Sequence, residues 1–303
     1  MEVIRTVKTL IISHGDCDGI CSAAIALMKY QDANLAFAQP FTIVEDMERA
    51  VRLFGKPDLL IILDIAYSKD MKIELEKMKD VEVVFIDHHP SSLKVSAPNI
   101  HTAVVNTSMS ASQLTAEYFG GSIILAQIGA IGDKVLMVSK VDPLFNEAEL
   151  IRKSLAYDVN DNNFRAFLCR KLTEGRMPSE ISEVIFRAGE MEKAMNDAIE
   201  VAKDNIIFES EKAVVIRHPG DIHGYAGATA SKIAIEMKKV VFLLFRVDTQ
   251  PDMIMVTARA HRDINVDLNK VMNKIRGGGH KYAAAGRIPV GREDMVVKLA
   301  EDL

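Results

Sequence analysis

Cysteine and tryptophan are scarce in this chain of 303 residues, which has three cysteines and no tryptophan. Cys17, Cys21 and Cys169 form no disulfide framework, and an odd number is typical of a reducing compartment. The opening residues, MEVIRTVKT, lack the long apolar core of a signal peptide, and no segment approaches transmembrane length. We therefore expect a cytoplasmic protein without a membrane partner.

Positive charge is also in short supply, because 37 Lys and Arg residues face 42 Asp and Glu residues, for a net charge of −5. This balance argues against a broadly basic surface for nucleic acid, although it leaves room for a local basic groove on one domain. Apolar residues make up 49% of the chain, which is ordinary for a globular protein, and the length suits one large or two ordinary domains.

The first apolar run, VKTLII, is followed by His14, Asp16 and Asp18. The run is short and rich in β-branched residues, so it predicts a buried strand, and the alanine-rich GICSAAIALMKY predicts a helix. The three side chains would then lie at the carboxyl edge of a sheet, where open α/β folds bind ligands. Two carboxylates about 4 Å apart repel by roughly 4 kcal/mol at an effective dielectric near 20, which favours a bound cation. In the alternative interpretation, Asp18 caps the helix and Asp16 faces water.

Two further predicted strands end in similar side chains. DLLIIL ends at Asp64, and VEVVFI is followed by Asp87, His88 and His89. Helices predicted between the strands, such as TIVEDMERAVRLF and KDMKIELEKMK, indicate βαβ units and a mostly parallel sheet. Polar groups from three strands are therefore expected at one edge.

Asp133 interrupts the apolar helix predicted for SIILAQIGAIGDKV. A buried aspartate is costly unless it is paired or coordinated, so Asp133 is a further acidic candidate for the same site. The alternative is a residue at the helix end, just before Lys134.

The pattern changes from helical to strand-rich near Ile206. It predicts a first domain of residues 1–185, a helical linker of 186–206 and a smaller α/β domain of 207–303. The long charged helix from Ser179 to Asp204 contains most of the linker and is a candidate contact for a homodimer.

The second domain contains a glycine motif, GGGHKYAAAG, from Gly277 to Gly286. Consecutive glycines adopt positive φ readily and let several amide N–H groups face an anion, whereas a simple turn is the alternative. Basic residues lie nearby in the sequence: Arg259, Arg262, Lys274, Arg276 and Lys281. This local cluster favours phosphate as the ligand.

Taken in order, these motifs resemble the DHH phosphoesterase superfamily in its DHHA1 branch, which includes RecJ-like exonucleases and oligoribonucleases. They are His14-Gly15-Asp16-Cys17-Asp18-Gly19, Asp64, Asp87-His88-His89, Asp133 and Gly277-Gly278-Gly279-His280. The resemblance covers nearly the whole chain. It implies an N-terminal, mostly parallel Rossmann-like sheet with flanking helices, which carries the catalytic metal site, and a C-terminal substrate-binding domain.

The resemblance further implies a dinuclear site, usually of Mn²⁺. One ion would be held by His14, Asp16 and Asp64, and the other by Asp18, Asp64, His88 and Asp133, with Asp64 bridging. His89 would lie near the scissile phosphate, and Asp87 would support the histidines. In the second domain, Arg259, His280 and the amides of Gly277, Gly278 and Gly279 would bind substrate phosphate, with Arg262 and His223 as further members.

Mixed carboxylate and imidazole ligands suit Mn²⁺, and less exclusively Mg²⁺ or Zn²⁺. A pair of such ions activates water for phosphate-ester hydrolysis without a covalent enzyme intermediate. A second anion site would select short single-stranded RNA or DNA, or phosphorylated nucleotides, over long duplexes. We therefore expect a Mn²⁺-dependent phosphodiesterase that releases nucleoside monophosphates from short oligonucleotides.

Other functions stay open. The same chemistry would serve a 3′-phosphoadenosine 5′-phosphate phosphatase or a cyclic-dinucleotide phosphodiesterase. A different class is a non-catalytic, replication-associated scaffold, against which the full set of acidic and histidine positions argues.

Overall fold

The computed structural model describes residues 7–303. The expectation that the chain opens without a signal peptide rests mainly on residues 1–6, which lie outside the described residues. The chain divides into two compact units, Met1–Ala188 and Gly189–Leu303. The predicted domain bounds of 1–185, 186–206 and 207–303 stay predictions. Within the described residues, no helix combines the length and apolar character needed to cross a membrane.

The described part of the first unit contains one sheet, seven complete α-helices, two short 3₁₀ helices (Pro90–Lys94 and Pro178–Glu180) and the start of a further α-helix. Its strands are β1 (Thr9–His14), β2 (Asn34–Ala38), β3 (Leu59–Leu63), β4 (Glu82–Asp87) and β5 (Ile100–Val105). Its helices are α1 (Cys17–Lys29), α2 (Ile43–Phe54), α3 (Lys69–Lys77), α4 (Ala111–Phe119), α5 (Ile123–Gly132), α6 (Pro143–Tyr157) and α7 (Asn162–Thr173). All strand pairs are parallel, in the order β2-β1-β3-β4-β5. The predicted α/β fold is thus confirmed.

The central strands are apolar along their whole length because both faces of the sheet are covered. Along β1, Ile11 packs into one core and its neighbours Leu10 and Ile12 pack into another. Helix α1 lies in the first core with α4, α5 and α7, whereas α2 and α3 contribute to the second. Complete burial of a leucine or isoleucine contributes about 1.5–3 kcal/mol, so these two layers hold the sheet firmly between its helices.

Strand order decides which loops are neighbours. β3 pairs with β1 on one side and with β4 on the other, so the residues after these three strands emerge side by side at the carboxyl edge. Ser13 is aligned with Leu63, and Leu63 with Ile86, one residue before each of the segments that carry His14, Asp64 and Asp87. The edge strand β5 is half-exposed, and its pattern was not recognised from the sequence.

Helix α8 (Ser182–Lys203) runs across the division between the two units. The second unit continues with β6 (Ile206–Glu209), β7 (Ala213–Arg217), α9 (Ala226–Met237), β8 (Val240–Phe245), β9 (Met253–Ala260), α10 (Leu268–Asn273), β10 (Gly278–His280), β11 (Ala283–Pro289) and α11 (Asp294–Glu301). Its sheet has the order β10-β11-β9-β8-β7-β6. Within this second sheet, β7 and β8 form the only parallel pair among the described strands, and the other pairs are antiparallel.

Candidate metal centre

The first cluster at the carboxyl edge joins His14, Asp16 and Asp64. His14 is the last residue of β1, so this strand extends two residues beyond the predicted run. Its Nδ1 lies 3.0 Å from Asp16 Oδ2 and 3.8 Å from Asp64 Oδ2. One ligand atom from each of the three residues lies within 4.8 Å of the others, which is compatible with a shared cation.

The helix cap in this segment is Asp16, not Asp18 as the alternative interpretation required. Asp16 accepts a hydrogen bond from Gly19 N–H, 3.0 Å away, at the start of α1. Asp18 is fully buried in the first helical turn and accepts hydrogen bonds from the backbone N–H groups of Ala111, at 2.7 Å, and Ser112, at 3.1 Å. The start of α4 therefore holds the Asp18 carboxylate inside the unit.

The second cluster joins Asp18, His88 and Asp133, again with ligand atoms within 4.8 Å of one another. His88 Nε2 lies 3.4 Å from Asp64 Oδ1 and 3.5 Å from Asp133 Oδ2. Asp64 therefore presents one oxygen to His14 and the other to His88. This arrangement fits the bridging position that the family resemblance implies for Asp64.

Asp64 has a left-handed backbone conformation, with φ of 59°. This conformation costs a residue other than glycine about 1–2 kcal/mol, and such strain is typical of positions where function decides the geometry. The residue is 2% exposed and its N–H donates to the carbonyl of Ile86, 2.9 Å away. The bond to the neighbouring strand helps to keep the carboxylate at the sheet edge.

Asp133 ends helix α5 rather than interrupting it, because the helix stops at Gly132 and Asp133 is its C-cap. A carboxylate at the C-terminal end of a helix faces the negative end of the helix dipole, so the helix does not stabilise its charge. His88 is the cation-forming group nearest to it among the described contacts. Asp133 thus remains an acidic residue whose placement favours a cation.

Asp87 supports His89. The buried Asp87 carboxylate accepts hydrogen bonds from His89 Nδ1, at 2.8 Å, from the His89 backbone N–H, at 3.2 Å, and from the Ser92 hydroxyl. Ser92 in turn accepts the N–H of Tyr67, 2.9 Å away. His89 also forms a third cluster of possible ligand atoms with Asp64 and His88, so it lies beside the other two clusters.

The acidic side chains perturb one another. Burial, followed by the charge of Asp64, raises the pKa of Asp18 to about 8. Burial and the charge of Asp16 raise the pKa of Asp64, and burial with the charges of Asp16 and Asp64 raises the pKa of Asp133 to about 6. These shifts mean that the carboxylates resist sharing the site as anions, and a divalent cation would relieve this repulsion.

The histidines respond in the opposite direction. Burial opposes the charged form of His14, but hydrogen bonds to Asp16 and Asp64 outweigh it and raise the pKa of His14 to about 11. The hydrogen bond to Asp64, against burial, raises the pKa of His88 to about 9. Burial opposes ionisation of Asp16, but the hydrogen bond to His14 and its charge lower the pKa of Asp16 to about 2. Because 44% of the Asp16 side chain is exposed, water screens its interaction with His14. In the protein without bound metal ions, protonated His14 and His88 would therefore balance part of the negative charge of the carboxylates.

Sequence reasoning missed two residues that contact this site. Gln39, just after β2, has its Oε1 3.1 Å from His14 Nε2. Arg165 of α7 is buried, and its Nε donates to the carbonyl oxygen of Gly15, 2.9 Å away. Both lie outside the motifs, and only the pairing of β2 with β1 and the packing of α7 against α1 bring them to the site.

In the second unit, Arg259 is the half-buried member of the predicted phosphate site. It lies on β9, and its guanidinium donates to Thr257 Oγ1, at 3.0 Å, and to the carbonyl of Ala258, at 2.9 Å. A Cβ atom at Gly227, in the first turn of α9, would lie 2.5 Å from Arg259 Nη2, so the guanidinium reaches the start of that helix. No carboxylate pairs with Arg259 in the described part of the chain, which leaves its charge available to an anion.

The glycine motif forms the short strand β10 and the segment before it. Gly277 N–H donates to Met272 O, at 2.9 Å, and Gly279 N–H donates to Asn269 Oδ1, at 3.0 Å. A Cβ at Gly279, whose φ is +148°, would lie 2.5 Å from the carbonyl oxygen of Ala283, so close packing on β11 also requires glycine. Phosphate binding by these two amides would require them to exchange their present acceptors for the ligand.

The other predicted members lie on the surface of the unit. His280, Ala283 and Arg259 are aligned across the three neighbouring strands β10, β11 and β9. His280, Arg262 and His223 are exposed, and His223 lies in the loop before α9. Their roles as phosphate ligands stay predictions.

Comparison with known families gives two matches. The model of the DHH family, N-terminal domain, matches residues 8–136, and the model of the DHHA1 domain matches residues 211–303. The first range contains every predicted metal ligand, and the second contains every predicted phosphate-binding residue. No curated protein has a sequence that matches this chain.

Several solved structures have a similar fold. PggH, a pGpG-specific phosphodiesterase from Vibrio cholerae, has a TM-score of 0.60 at 16% identity, with 96% of this chain and 96% of that chain covered. RecJ from Thermus thermophilus, in complex with Mn²⁺, has a TM-score of 0.63 at 17% identity, and the alignment covers 98% of this chain but 52% of that chain. An exopolyphosphatase-related protein from Bacteroides fragilis has a TM-score of 0.55 at 17% identity, with 98% and 92% covered. At these identities the likeness shows the fold alone.

Proposed function

The chain belongs to the DHH family of metal-dependent phosphoesterases and carries a C-terminal DHHA1 domain. From this premise, we propose that it hydrolyses short single-stranded oligonucleotides to nucleoside monophosphates and uses Mn²⁺. The phosphoesterase class follows from the family. The substrate and the metal are the parts proposed here.

The observation that carries the proposal is the position of Asp64 between two clusters of ligand atoms. Its oxygens face His14 on one side and His88 on the other, and Asp16, Asp18 and Asp133 complete the two sets. Oxygen and imidazole donors in this mixture suit Mn²⁺, with Mg²⁺ or Zn²⁺ as alternatives. Two bound divalent ions would polarise the phosphate and activate a water molecule.

The protein's own contribution beside the metals is His89. Asp87 accepts the Nδ1 proton of this ring, so Nε2 faces away from Asp87 and can contact a substrate oxygen. The hydrogen bond to Asp87, against burial, raises the pKa of His89 and favours the charged form that would bind phosphate. Asp87 therefore orients His89 and also stabilises its positive charge.

Short substrates are favoured by the close spacing of two predicted phosphate-binding residues, because His280 and Arg259 are aligned across neighbouring strands of the second unit. Arg259 and the exposed His280 offer a compact phosphate site rather than a long basic channel. The similar fold of PggH, described as specific for the dinucleotide pGpG, is consistent with this size of substrate. We propose that this site binds a phosphate of the substrate.

Product analysis tests the proposal. Chelator-treated protein is incubated with Mn²⁺ and, separately, an end-labelled tetranucleotide of RNA or DNA, a linear dinucleotide, a cyclic dinucleotide and 3′-phosphoadenosine 5′-phosphate. We expect Mn²⁺-dependent release of monophosphates from the linear substrates and its loss in Asp64→Asn. The matched control is Asp80→Asn, which removes a carboxylate that is 90% exposed and should leave turnover unchanged. Cleavage restricted to either of the last two compounds would replace the proposed substrate, and a protein that binds no ions and cleaves nothing would refute the hydrolase function.

A further inference from the structure

The imidazole of His14 has a contact at each ring nitrogen. Nδ1 faces the oxygens of Asp16 and Asp64, where the first cluster would hold its ion. Nε2 lies on the opposite side of the ring, 3.1 Å from Gln39 Oε1. The two contacts therefore divide the ring between the metal site and one side chain of the neighbouring β2–α2 loop.

Gln39 is itself held in place by α2. Its backbone N–H donates to Asp46 Oδ2, at 3.2 Å, and the Thr42 hydroxyl donates to the same oxygen, at 2.8 Å. Asp46 is 7% exposed and pairs through its other oxygen with Arg49. A buried and fully bonded carboxylate thus anchors the backbone of the residue that contacts His14.

The chemistry of a histidine ligand decides what Gln39 must do. A neutral imidazole that binds a cation through Nδ1 carries its only proton on Nε2, and that proton needs an acceptor. The glutamine carbonyl oxygen is such an acceptor, whereas the amide NH₂ group would oppose the Nε2 proton. Glutamine has no ionisable group, so the acceptor itself does not change with pH.

We propose that Gln39 is a positioning residue that holds His14 in the tautomer with the proton on Nε2 and the Nδ1 lone pair directed at the first ion. This inference rests on the proposed metal-dependent function and adds a residue that no motif contains. Loss of a partner that orients a metal-bound histidine typically weakens metal affinity about 10–100-fold. Gln39 also lines a cavity of about 310 Å³, so water entering there after truncation would limit the loss.

Two substitutions separate hydrogen bonding from packing. Gln39→Leu keeps the bulk of the side chain and removes the acceptor, while Gln39→Glu keeps an acceptor at the same position. Calorimetric titration of the chelator-treated full chain with Mn²⁺ should show one ion bound about 10–100-fold more weakly in Gln39→Leu and no weaker in Gln39→Glu. The matched control is Gln31→Leu, at an exposed position, which should bind both ions as the wild type does.

A second measurement reads the tautomer directly. In the protein loaded with diamagnetic Mg²⁺, ¹⁵N chemical shifts should place the His14 proton on Nε2 in the wild type and in Gln39→Glu. In Gln39→Leu, a fraction of the His14 rings should leave the ion and show a protonated Nδ1. Thermal unfolding of the metal-free variants establishes that each is folded before titration.

The outcomes distinguish this inference from the function on which it rests. If the wild type binds two ions and Gln39→Leu binds them equally well, the positioning role is wrong and the metal-dependent function stands. If Gln39→Glu loses as much affinity as Gln39→Leu, acceptor chemistry is not what matters, and the inference is again wrong. If the wild type binds no ions, the proposed function fails together with the inference.

Discussion

Asp18 gives the sharpest test of the electrostatic argument, because it is a fully buried carboxylate. Replacement by asparagine removes its charge and keeps its size. We expect Asp18→Asn to stabilise the metal-free protein at high pH, while weakening its response to metal ions. A buried charge that destabilises the ligand-free protein but binds the ligand is typical of a functional site.

The magnitude follows from the pKa of Asp18, which burial and the charge of Asp64 raise from 3.8 to about 8. Between these two pH values the folded protein keeps the proton that the unfolded chain releases, so stability falls by about 1.4 kcal/mol for each pH unit as pH rises. The accumulated cost is about 4 kcal/mol at pH 7, and it stays constant above pH 8.

Asparagine has a cost of its own. Its single carbonyl oxygen accepts one of the two backbone N–H groups, of Ala111 and Ser112, that Asp18 now satisfies. A buried N–H without an acceptor costs about 1–3 kcal/mol. The net gain of Asp18→Asn is therefore about 1–3 kcal/mol at pH 7 and close to zero at pH 5, where the charge costs less.

Urea unfolding of chelator-treated protein at pH 5, 6, 7 and 8 measures this difference. Subtracting the unfolding free energy of the wild type from that of the variant at each pH cancels the contribution of groups that titrate alike in both, such as His14. The raised pKa of His14, about 11, makes stability fall as pH rises above 6.5 in both proteins. Asp80→Asn is the control, since its parent carboxylate is 90% exposed. Mn²⁺ at 100 times its dissociation constant should stabilise the wild type by about 2.7 kcal/mol and the variant by less.

One result would refute the reasoning about Asp18. If the stability of Asp18→Asn relative to wild type does not change between pH 5 and pH 8, the carboxylate is not held in the desolvated, acidic surroundings that the structure describes. The proposal of a metal site at this edge would then lose its electrostatic basis.

Two further substitutions test local geometry. Gly129→Ala places a Cβ against Ser112 Oγ and 2.7 Å from Asp18 Oδ1, so it should destabilise the protein by about 1–3 kcal/mol. It should also weaken Mn²⁺ binding in calorimetric titration; unchanged binding would mean that Asp18 and Ser112 can move without loss. Lys238→Gly relieves a left-handed residue, with φ of 53°, at the end of α9, and should raise the unfolding free energy by about 1 kcal/mol. The exposed Lys232, inside α9, is the control: Lys232→Gly should lower stability by about 1 kcal/mol, and equal effects at the two positions would contradict the argument.

The parallel sheet and its acidic edge could be predicted because apolar runs stop where strands stop. The runs that became β1, β3 and β4 are each followed by the chemical groups of the site, and a parallel sheet brings such ends to one edge. Short or half-exposed strands had no such signal. β5 alternates only weakly, and β10 has three residues, two of them glycine.

Details of the candidate site were less accessible. Helix caps depend on backbone angles, so sequence spacing alone did not distinguish Asp16 as the cap from Asp18 as the buried carboxylate. Likewise, the glycine motif indicated free amides, whereas Asn269 and Met272 occupy two of them. Both outcomes depend on which distant groups arrive at a given position.

By itself the amino-acid sequence determined the family, the parallel α/β layout and the residue types at the candidate metal centre, because these follow from apolar periodicity and local motifs. Only the tertiary structure decided that the two oxygens of Asp64 face different clusters, that α4 buries Asp18, and that Gln39 and Arg165 contact the loop after β1. The physical reason is range: periodicity is a property of neighbouring residues, whereas hydrogen bonds across a fold depend on how separate elements pack.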